Sequence, residues 1–293
     1  MAFESGNRTH PDWVKVRYRQ SSTIDEVESF LFTNKVNTVC SSALCPNRGE
    51  CFNQRAMTFL LLGPHCTRRC GFCSVDKSGP AGYSDFEKDA ENIRTAVRKF
   101  KLRYVTLTSP TRDDIPDGGA SVYSDIIQKL HTLDNPPMVE VLVPDFSGNR
   151  KAIDLVIRSN PEVLAHNLET VPRLYYRIRK GADWSRSLEI IKRTADGGNS
   201  VPKSAFIVGL GETLDELFSA MRSAHESGCE IMVVGQYLRS TKNQLPVVKY
   251  YSPDEFAAIE KEGREIGFKA MLSGPLYRSS YLAEQALKTA RRM

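Results

Sequence analysis

The residues best able to do chemistry in this chain are its cysteines. There are seven, and six fall between Cys40 and Cys73. Cys66, Cys70 and Cys73 form a C-x3-C-x2-C run, preceded by Cys40, Cys45 and Cys51 in a C-x4-C-x5-C run. An odd number crowded into one stretch is a poor fit to a secreted disulfide framework and points to a metal or redox site. Three thiolates so close in sequence can converge on one site. On a 4Fe–4S cluster, three cysteines leave one iron open to an exogenous molecule. Zinc is the competing chemistry: a structural zinc site wants four closed ligands, and His65 could be the fourth beside Cys66, Cys70 and Cys73. Zinc motifs, however, usually come as paired C-x2-C elements. The upstream triad is also one ligand short. The six thiols could share a single site, but six do not divide into fours, and two three-cysteine clusters is the simpler count. Cys229 stands alone beside an apolar strand and reads as a small buried hydrophobe.

The elements that must hold these cysteines follow a repeated strand–helix pattern. Short apolar runs predict strands over 58–63, 104–108, 138–143, 163–167, 204–209 and 230–235. Helical spacing predicts helices over 85–101, 121–133, 150–159, 185–195, 213–227 and 253–266. Six such units in series imply parallel strands with right-handed crossovers, in an open sheet or a complete or partial barrel. Polar residues at strand C-termini are then candidate site residues: Thr108-Ser109, Pro144-Asp145, His166 to Glu169, Gly209 to Glu212 and Gln236-Tyr237. As turn and cap residues they have an equally ordinary explanation one by one.

With 293 residues, 41% hydrophobic and 26% charged, the chain is globular in composition, with no apolar stretch long enough to span a membrane. The net charge is 40 − 35 = +5, too diffuse to argue for nucleic acid. Residues 1–20 hold no apolar signal core, which predicts a cytoplasmic protein.

The C-x3-C-x2-C run after the first strand of a serial β–α chain resembles the radical S-adenosylmethionine (SAM) superfamily. The upstream C-x4-C-x5-C run narrows the resemblance to the lipoyl synthases. So do Cys45-Pro46-Asn47, Arg112-Asp113-Asp114, His166 to Val171, Gly209 to Glu212, Gly235 to Leu238 and the ending Gly274 to Tyr281, with its Arg278-Ser279-Ser280-Tyr281 motif. The resemblance implies a partial (β/α)6 TIM-type barrel at 58–270, with an N-terminal extension at 1–57 carrying auxiliary-cluster cysteines and a C-terminal segment at 271–293. It implies that Cys66, Cys70 and Cys73 hold a 4Fe–4S cluster whose open iron chelates SAM. Cys40, Cys45 and Cys51 would hold an auxiliary 4Fe–4S cluster with Ser280 as fourth ligand and Ser279 as the lesser candidate. The implied reaction inserts sulfur at C6 and C8 of a protein-bound octanoyl-lysine, with the auxiliary cluster as sulfur donor. Asn167 and Glu169 are expected to contact SAM, against a competing reading as turn residues. Arg68, Arg69 and Arg278 are expected to orient cluster loops or face the acidic carrier, with Arg68 and Arg69 read equally well as solvated or pairing locally.

The expected partners are an octanoylated lipoyl-carrier protein (a lipoyl domain or a glycine-cleavage H protein), a ferredoxin or flavodoxin as reductant, and an iron–sulfur carrier for repair. Neither nucleic acid nor membrane is expected. Ser74, Phe52, Asn243-Gln244 and Leu282 depart from the family's usual residues without removing a cluster ligand. A methylthiotransferase or a biotin-synthase-like enzyme is the rival within the superfamily. A zinc-stabilised nucleic-acid module is the rival outside it.

Overall fold

The computed structural model describes residues 11–14, 22–42, 45, 47–77 and 86–292. The expected helix start at residue 85 and most of the stretch 1–20 lie outside them. Three helices precede the sheet: α1 (Ser22–Thr33), α2 (Val39–Ser42) and α3 (Arg48–Asn53). Then come β1 (Ala56–Leu60), α4 (Phe86–Phe100), β2 (Tyr104–Thr108), α5 (Ala120–His131), β3 (Met138–Leu142), α6 (Arg150–Arg158) and β4 (Val163–Ala165). Two helices, α7 (Pro172–Ile178) and α8 (Trp184–Gly197), lead to β5 (Val201–Val208). The chain continues through α9 (Leu214–Glu226), β6 (Ile231–Gln236), α10 (Pro253–Ile266), β7 (Ala270–Gly274) and α11 (Ala283–Arg292).

The sheet runs in the order β1 to β7, and every neighbouring pair is parallel. Six strands match the periodicity. The seventh, β7, was not expected, because its apolar run is only Ala270-Met271-Leu272 before Ser273 and Gly274. Strands covered on both faces are largely apolar, and all five residues of β2 and all six of β6 are buried. The outer helices carry one apolar stripe each; α6 buries Ala152, Ile153, Val156 and Ile157. Reciprocal capping boxes start α9 (Thr213 with Glu216) and α10 (Ser252 with Glu255).

Curvature of the sheet follows from what α11 touches. Ala283, Ala286, Leu287 and Ala290 pack in two small clusters with the first residues of β2 to β7: Tyr104, Met138, Val163, Val201, Ile231 and Ala270. In a flat sheet β2 and β7 would stand about 24 Å apart, five spacings of about 4.8 Å. A ten-residue helix spans only about 15 Å. The strands are therefore curled into a partial barrel whose N-terminal end α11 plugs. Inside the curl, Lys203 of β5 reaches across β4 to Glu140 of β3 at 2.9 and 2.7 Å, and the Tyr104 hydroxyl donates to the same carboxylate at 2.7 Å. Lys203 and Glu140 side chains are fully buried. Among the described residues, no helix is long and apolar enough to cross a membrane.

Candidate functional site

The C-terminal end of the curl carries the loop of Cys66, Cys70 and Cys73, held at both ends and in the middle. The Cys66 N–H donates to Asp76 O (2.8 Å), Gly71 N–H to Ile178 O at the end of α7 (2.9 Å), and Leu245 N–H to Gly71 O (2.9 Å). The Lys77 ammonium donates to the carbonyls of Cys70 and Cys73, both at 2.9 Å. His65, the alternative zinc ligand, sits with Nδ1 3.0 Å from an Asp76 carboxylate oxygen. All three thiols are free. Burial pushes the Cys73 thiol up to about 11, with Cys70 and Cys66 nearby adding to it. Cys70 is raised by burial too, opposed by the Arg179 and Arg68 guanidiniums and reinforced by Cys66 and Glu169.

Glu169 follows β4 in a left-handed conformation (φ 66°), a position costly for any residue but glycine and often found at functional sites. Burial drives its carboxyl up, against the Arg179 guanidinium, the Asn167 amide and the Arg278 charge. Asn167 links two groups: its Nδ2 donates to Glu169 Oε1 (3.0 Å) and its Oδ1 accepts from Ser279 Oγ (3.0 Å). Arg179 donates to Asn167 O at 2.9 Å, and its Nε is buried with no partner among the described residues. An orphaned donor beside Cys70 fits a site built for an anionic group.

Arg68 and Arg69 part company. Arg68 is buried, with Nε 2.8 Å from Asp113 and Nη2 2.6 Å from Asp145, while Arg69 is exposed. Asp145 itself is shared with Arg186 at 3.0 Å. Arg112 pairs with Asp114 through Nε and Nη2, both at 2.8 Å. This network braces the cysteine loop against the ends of β2 and β3.

The second triad lies beside β1. Leu60 N–H donates to Asn37 O (2.8 Å), which pins the segment leading into α2 along the strand. Cys40 receives a hydrogen bond from the Thr58 backbone N–H, and burial together with Cys45 pushes its thiol up to about 11. Cys51 on α3 rises to about 12 through burial, then through the charges of Cys40 and Cys45. The three thiols thus share one neighbourhood. Thr58 Oγ1 donates to Ser280 Oγ at 3.0 Å, so Ser280 stands beside this triad, and Ser279 faces Asn167 instead. Arg278, half-buried, feels both Cys45 and Glu169. Two further bonds tie the C-terminal segment to the N-terminal helices: Asn47 Nδ2 to Leu276 O (2.6 Å) and Tyr281 Oη to Glu50 Oε2 (3.0 Å). No three His, Cys, Asp or Glu side chains among the described residues are gathered closely enough for a single ion. A 4Fe–4S cluster places each thiolate on a different iron and suits a wider spacing.

Several strand-end expectations resolve differently. The stretch from Gly209 to Glu212 is among the polar strand ends expected at the site. Instead the N–H groups of Gly209 and Leu210 donate to the Glu212 carboxylate at 2.5 and 3.0 Å, and a side chain at Gly209 would strike Gln236 Nε2 and Lys249 O. Thr108 and Gln236 spend their hydrogen bonds on Leu142 O and on Val208 and Lys249 carbonyls. His166 bonds Val143 O through Nδ1 (2.8 Å) and Ser187 Oγ through Nε2 (3.0 Å). Cys229 is buried and donates to Ile231 O, a bystander as expected. Sequence reading missed Thr58, Lys77 and Arg179. Lys77 had one signal, its position four residues past Cys73; Thr58 and Arg179 gain meaning only once the chain is folded.

A curled parallel sheet with a three-cysteine loop after its first strand defines the radical SAM class. Residues 60–224, more than half of the chain, match the family model of the Radical SAM superfamily. The fold is similar to that of the FeFe-hydrogenase maturase HydG from Carboxydothermus hydrogenoformans, with a TM-score of 0.58 at 13% identity over 81% of this chain and 66% of that one. It is also similar to SuiB from Streptococcus suis bound to its precursor peptide SuiA, with a TM-score of 0.57 at 11% identity over 92% and 58%. The lipoyl synthase of Caldanaerobacter subterraneus subsp. tengcongensis is 45% identical over 96% of this chain and 98% of its own length. That of Rubrobacter xylanophilus is 44% identical over 99% and 90%. The chain belongs to the lipoyl synthase family.

Proposed function

We propose that this enzyme inserts two sulfur atoms, at C6 and C8, into an octanoyl chain carried on a lysine of a lipoyl-carrier protein. The observation that carries the reading is the divergence of two adjacent serines. Ser279 bonds Asn167 beside Glu169 and Ser280 bonds Thr58 beside Cys40, so one short segment reaches both cysteine triads. A substrate atom that must meet a radical and then a sulfur donor needs two such sites held in fixed relation.

Cys66, Cys70 and Cys73 hold the SAM-binding cluster, and Cys40, Cys45, Cys51 and Ser280 hold the auxiliary one. When bound, these groups supply a 5′-deoxyadenosyl radical and the sulfur atoms. The protein's own residues do the positioning. Glu169 and Asn167 present a carboxylate and an amide toward SAM, and Arg179 aims its unpartnered Nε into the same space. Lys77 fixes the carbonyls of the cysteine loop. Arg278 holds a half-buried positive charge that feels both Cys45 and Glu169. Serine is a harder ligand than thiolate, so Ser280 would be the odd ligand among the four that hold the auxiliary group. The electron donor is a low-potential carrier such as a ferredoxin or flavodoxin, and an iron–sulfur carrier restores the auxiliary site.

Anaerobic reconstitution with iron and sulfide counting tests the assignment of ligands. Two three-cysteine cluster sites predict roughly eight irons per chain, and replacement of Cys40, Cys45 and Cys51 together by Ala predicts roughly four. Stoichiometric zinc without sulfide overturns the proposal.

A further inference from the structure

Three segments meet around the turn of Cys70 to Cys73. Gly71 N–H donates to Ile178 O at the end of α7, and Gly71 O accepts from Leu245 N–H, both at 2.9 Å. Phe72, Leu174, Ile178, Leu245 and Val247 pack in one apolar cluster beneath them. The cysteine turn, α7 and residues 238–249 therefore share one face of the molecule, and Gly71 reaches it half-buried.

The charge of this face is one-sided. Residues 66–75, 170–182 and 237–252 hold nine arginines and lysines and no aspartate or glutamate, in a chain whose totals are 40 and 35. Part of that charge is spent locally. Arg68 pairs with Asp113 and Asp145, Arg173 with Glu216, and Lys249 with Glu255. Arg239 donates to the Thr241 and Lys242 carbonyls and holds its own turn. Arg69, Arg177, Lys180 and Lys242 are exposed and make no ion pair among the described residues. On α7 the buried residues are Leu174, Tyr175 and Ile178, so Arg173, Tyr176 and Arg177 turn outward, with Lys180 just past the helix end. Tyr176 is 93% exposed. Tyrosine and arginine are among the residues enriched where proteins dock.

A positive face attracts an acidic partner and steers its approach. The proposed reaction brings two proteins to the enzyme, the octanoyl carrier and an electron donor. The octanoyl chain must reach both triads, so its carrier belongs where the Arg278 to Ser280 segment lies. Among the described residues, neither α7 nor 238–249 bonds Cys40, Cys45, Cys51 or Ser280. An electron needs only the nearer triad, and Gly71, which has no side chain, sets the backbone of the Cys70–Cys73 turn against a visitor. We infer that the face formed by α7 and residues 238–249 docks a small acidic electron carrier that reduces the SAM-site cluster. The inference rests on reading Cys66, Cys70 and Cys73 as ligands of that cluster. Each visit passes one electron: the carrier is oxidised by one, the cluster is reduced by one, and no bond or proton is exchanged.

Full-length protein loaded with both clusters is compared as native, Arg177→Gln/Lys242→Gln and Arg98→Gln/Lys151→Gln. The last pair removes two exposed cations from the outer helices α4 and α6. Calorimetry with an oxidised flavodoxin and an oxidised ferredoxin, both of acidic surface, reads binding without turnover. At low salt Arg177→Gln/Lys242→Gln should bind about tenfold more weakly than native, and native affinity should fall as salt is raised. The α4/α6 variant should bind as native does. With dithionite, which needs no docking, all three should cleave SAM at the native rate with the native KM for the octanoyl carrier. Equal binding by native and Arg177→Gln/Lys242→Gln, no binding of either probe, or an equal loss in the α4/α6 variant overturns the inference. A raised KM for the octanoyl carrier with unchanged probe binding gives the face to that carrier and overturns it too. Native protein that cleaves no SAM with dithionite removes the cluster assignment itself, whatever the probes bind.

Discussion

Ser279 and Ser280 are neighbours in the chain, yet their hydroxyls bond different partners, Asn167 and Thr58. Ser280→Ala should leave SAM cleavage near native while sulfur insertion and auxiliary iron fall, and Ser279→Ala should do the reverse. Product sulfur and deoxyadenosine measured together separate the two outcomes; equal effects from both would remove the assignment. Glu169→Gln removes a charged hydrogen-bonding partner, typically worth about 1.5–3 kcal/mol, so SAM binding should weaken about 10- to 100-fold. Equilibrium dialysis with SAM checks this. His166 offers a pH-dependent test. Val143 O can only accept, so Nδ1 carries the proton of the neutral ring, with Nε2 3.0 Å from Ser187 Oγ. Full burial holds the imidazole at about 4, below the ordinary 6.5. A depressed value means the unfolded chain takes the proton first, so this stabilisation is complete above about pH 6.5 and drains away as pH falls toward 4, by about 3 kcal/mol in total. Urea unfolding across that range should lose this much more in native protein than in His166→Gln; identical slopes would contradict it.

At the scale of elements, β6 and the C-terminal segment meet without a side chain between them. A Cβ on Gly235 would fall 2.0 Å from the Tyr277 carbonyl oxygen. Gly235→Ala must push back the segment that carries Arg278 to Ser280, at a cost of about 1–3 kcal/mol. Lower auxiliary iron with intact SAM-site iron is the expected signature, and an unchanged iron count would argue against this contact. The cysteine triads and six strands were legible from spacing and apolar runs, because thiol ligation and buried parallel strands leave strong local patterns. β7 was not, since three apolar residues ahead of Ser273 and Gly274 look like any loop. Gly209 meets a need for space that only the folded chain reveals, since Gln236 and Lys249 stand where its side chain would be.

For the whole molecule, the partial barrel sets one cysteine triad at the strand C-termini and brings the other against β1, with α11 closing the far end. The +5 charge read from composition explains none of this. What the sequence could not convey was which residues from distant segments converge: Arg179 onto Asn167, Thr58 onto Ser280, Lys203 onto Glu140. Each pairing depends on how the strands curl, and no local pattern encodes the curl. The central claim is that two sites act in turn on one octanoyl chain. It is tested most directly by incubating the reduced, fully loaded enzyme with SAM and an octanoyl-lysine carrier protein, then weighing the carrier and counting 5′-deoxyadenosine. The account predicts a carrier that gains two sulfur atoms while two equivalents of deoxyadenosine form. Deoxyadenosine released with no sulfur on the carrier would contradict it.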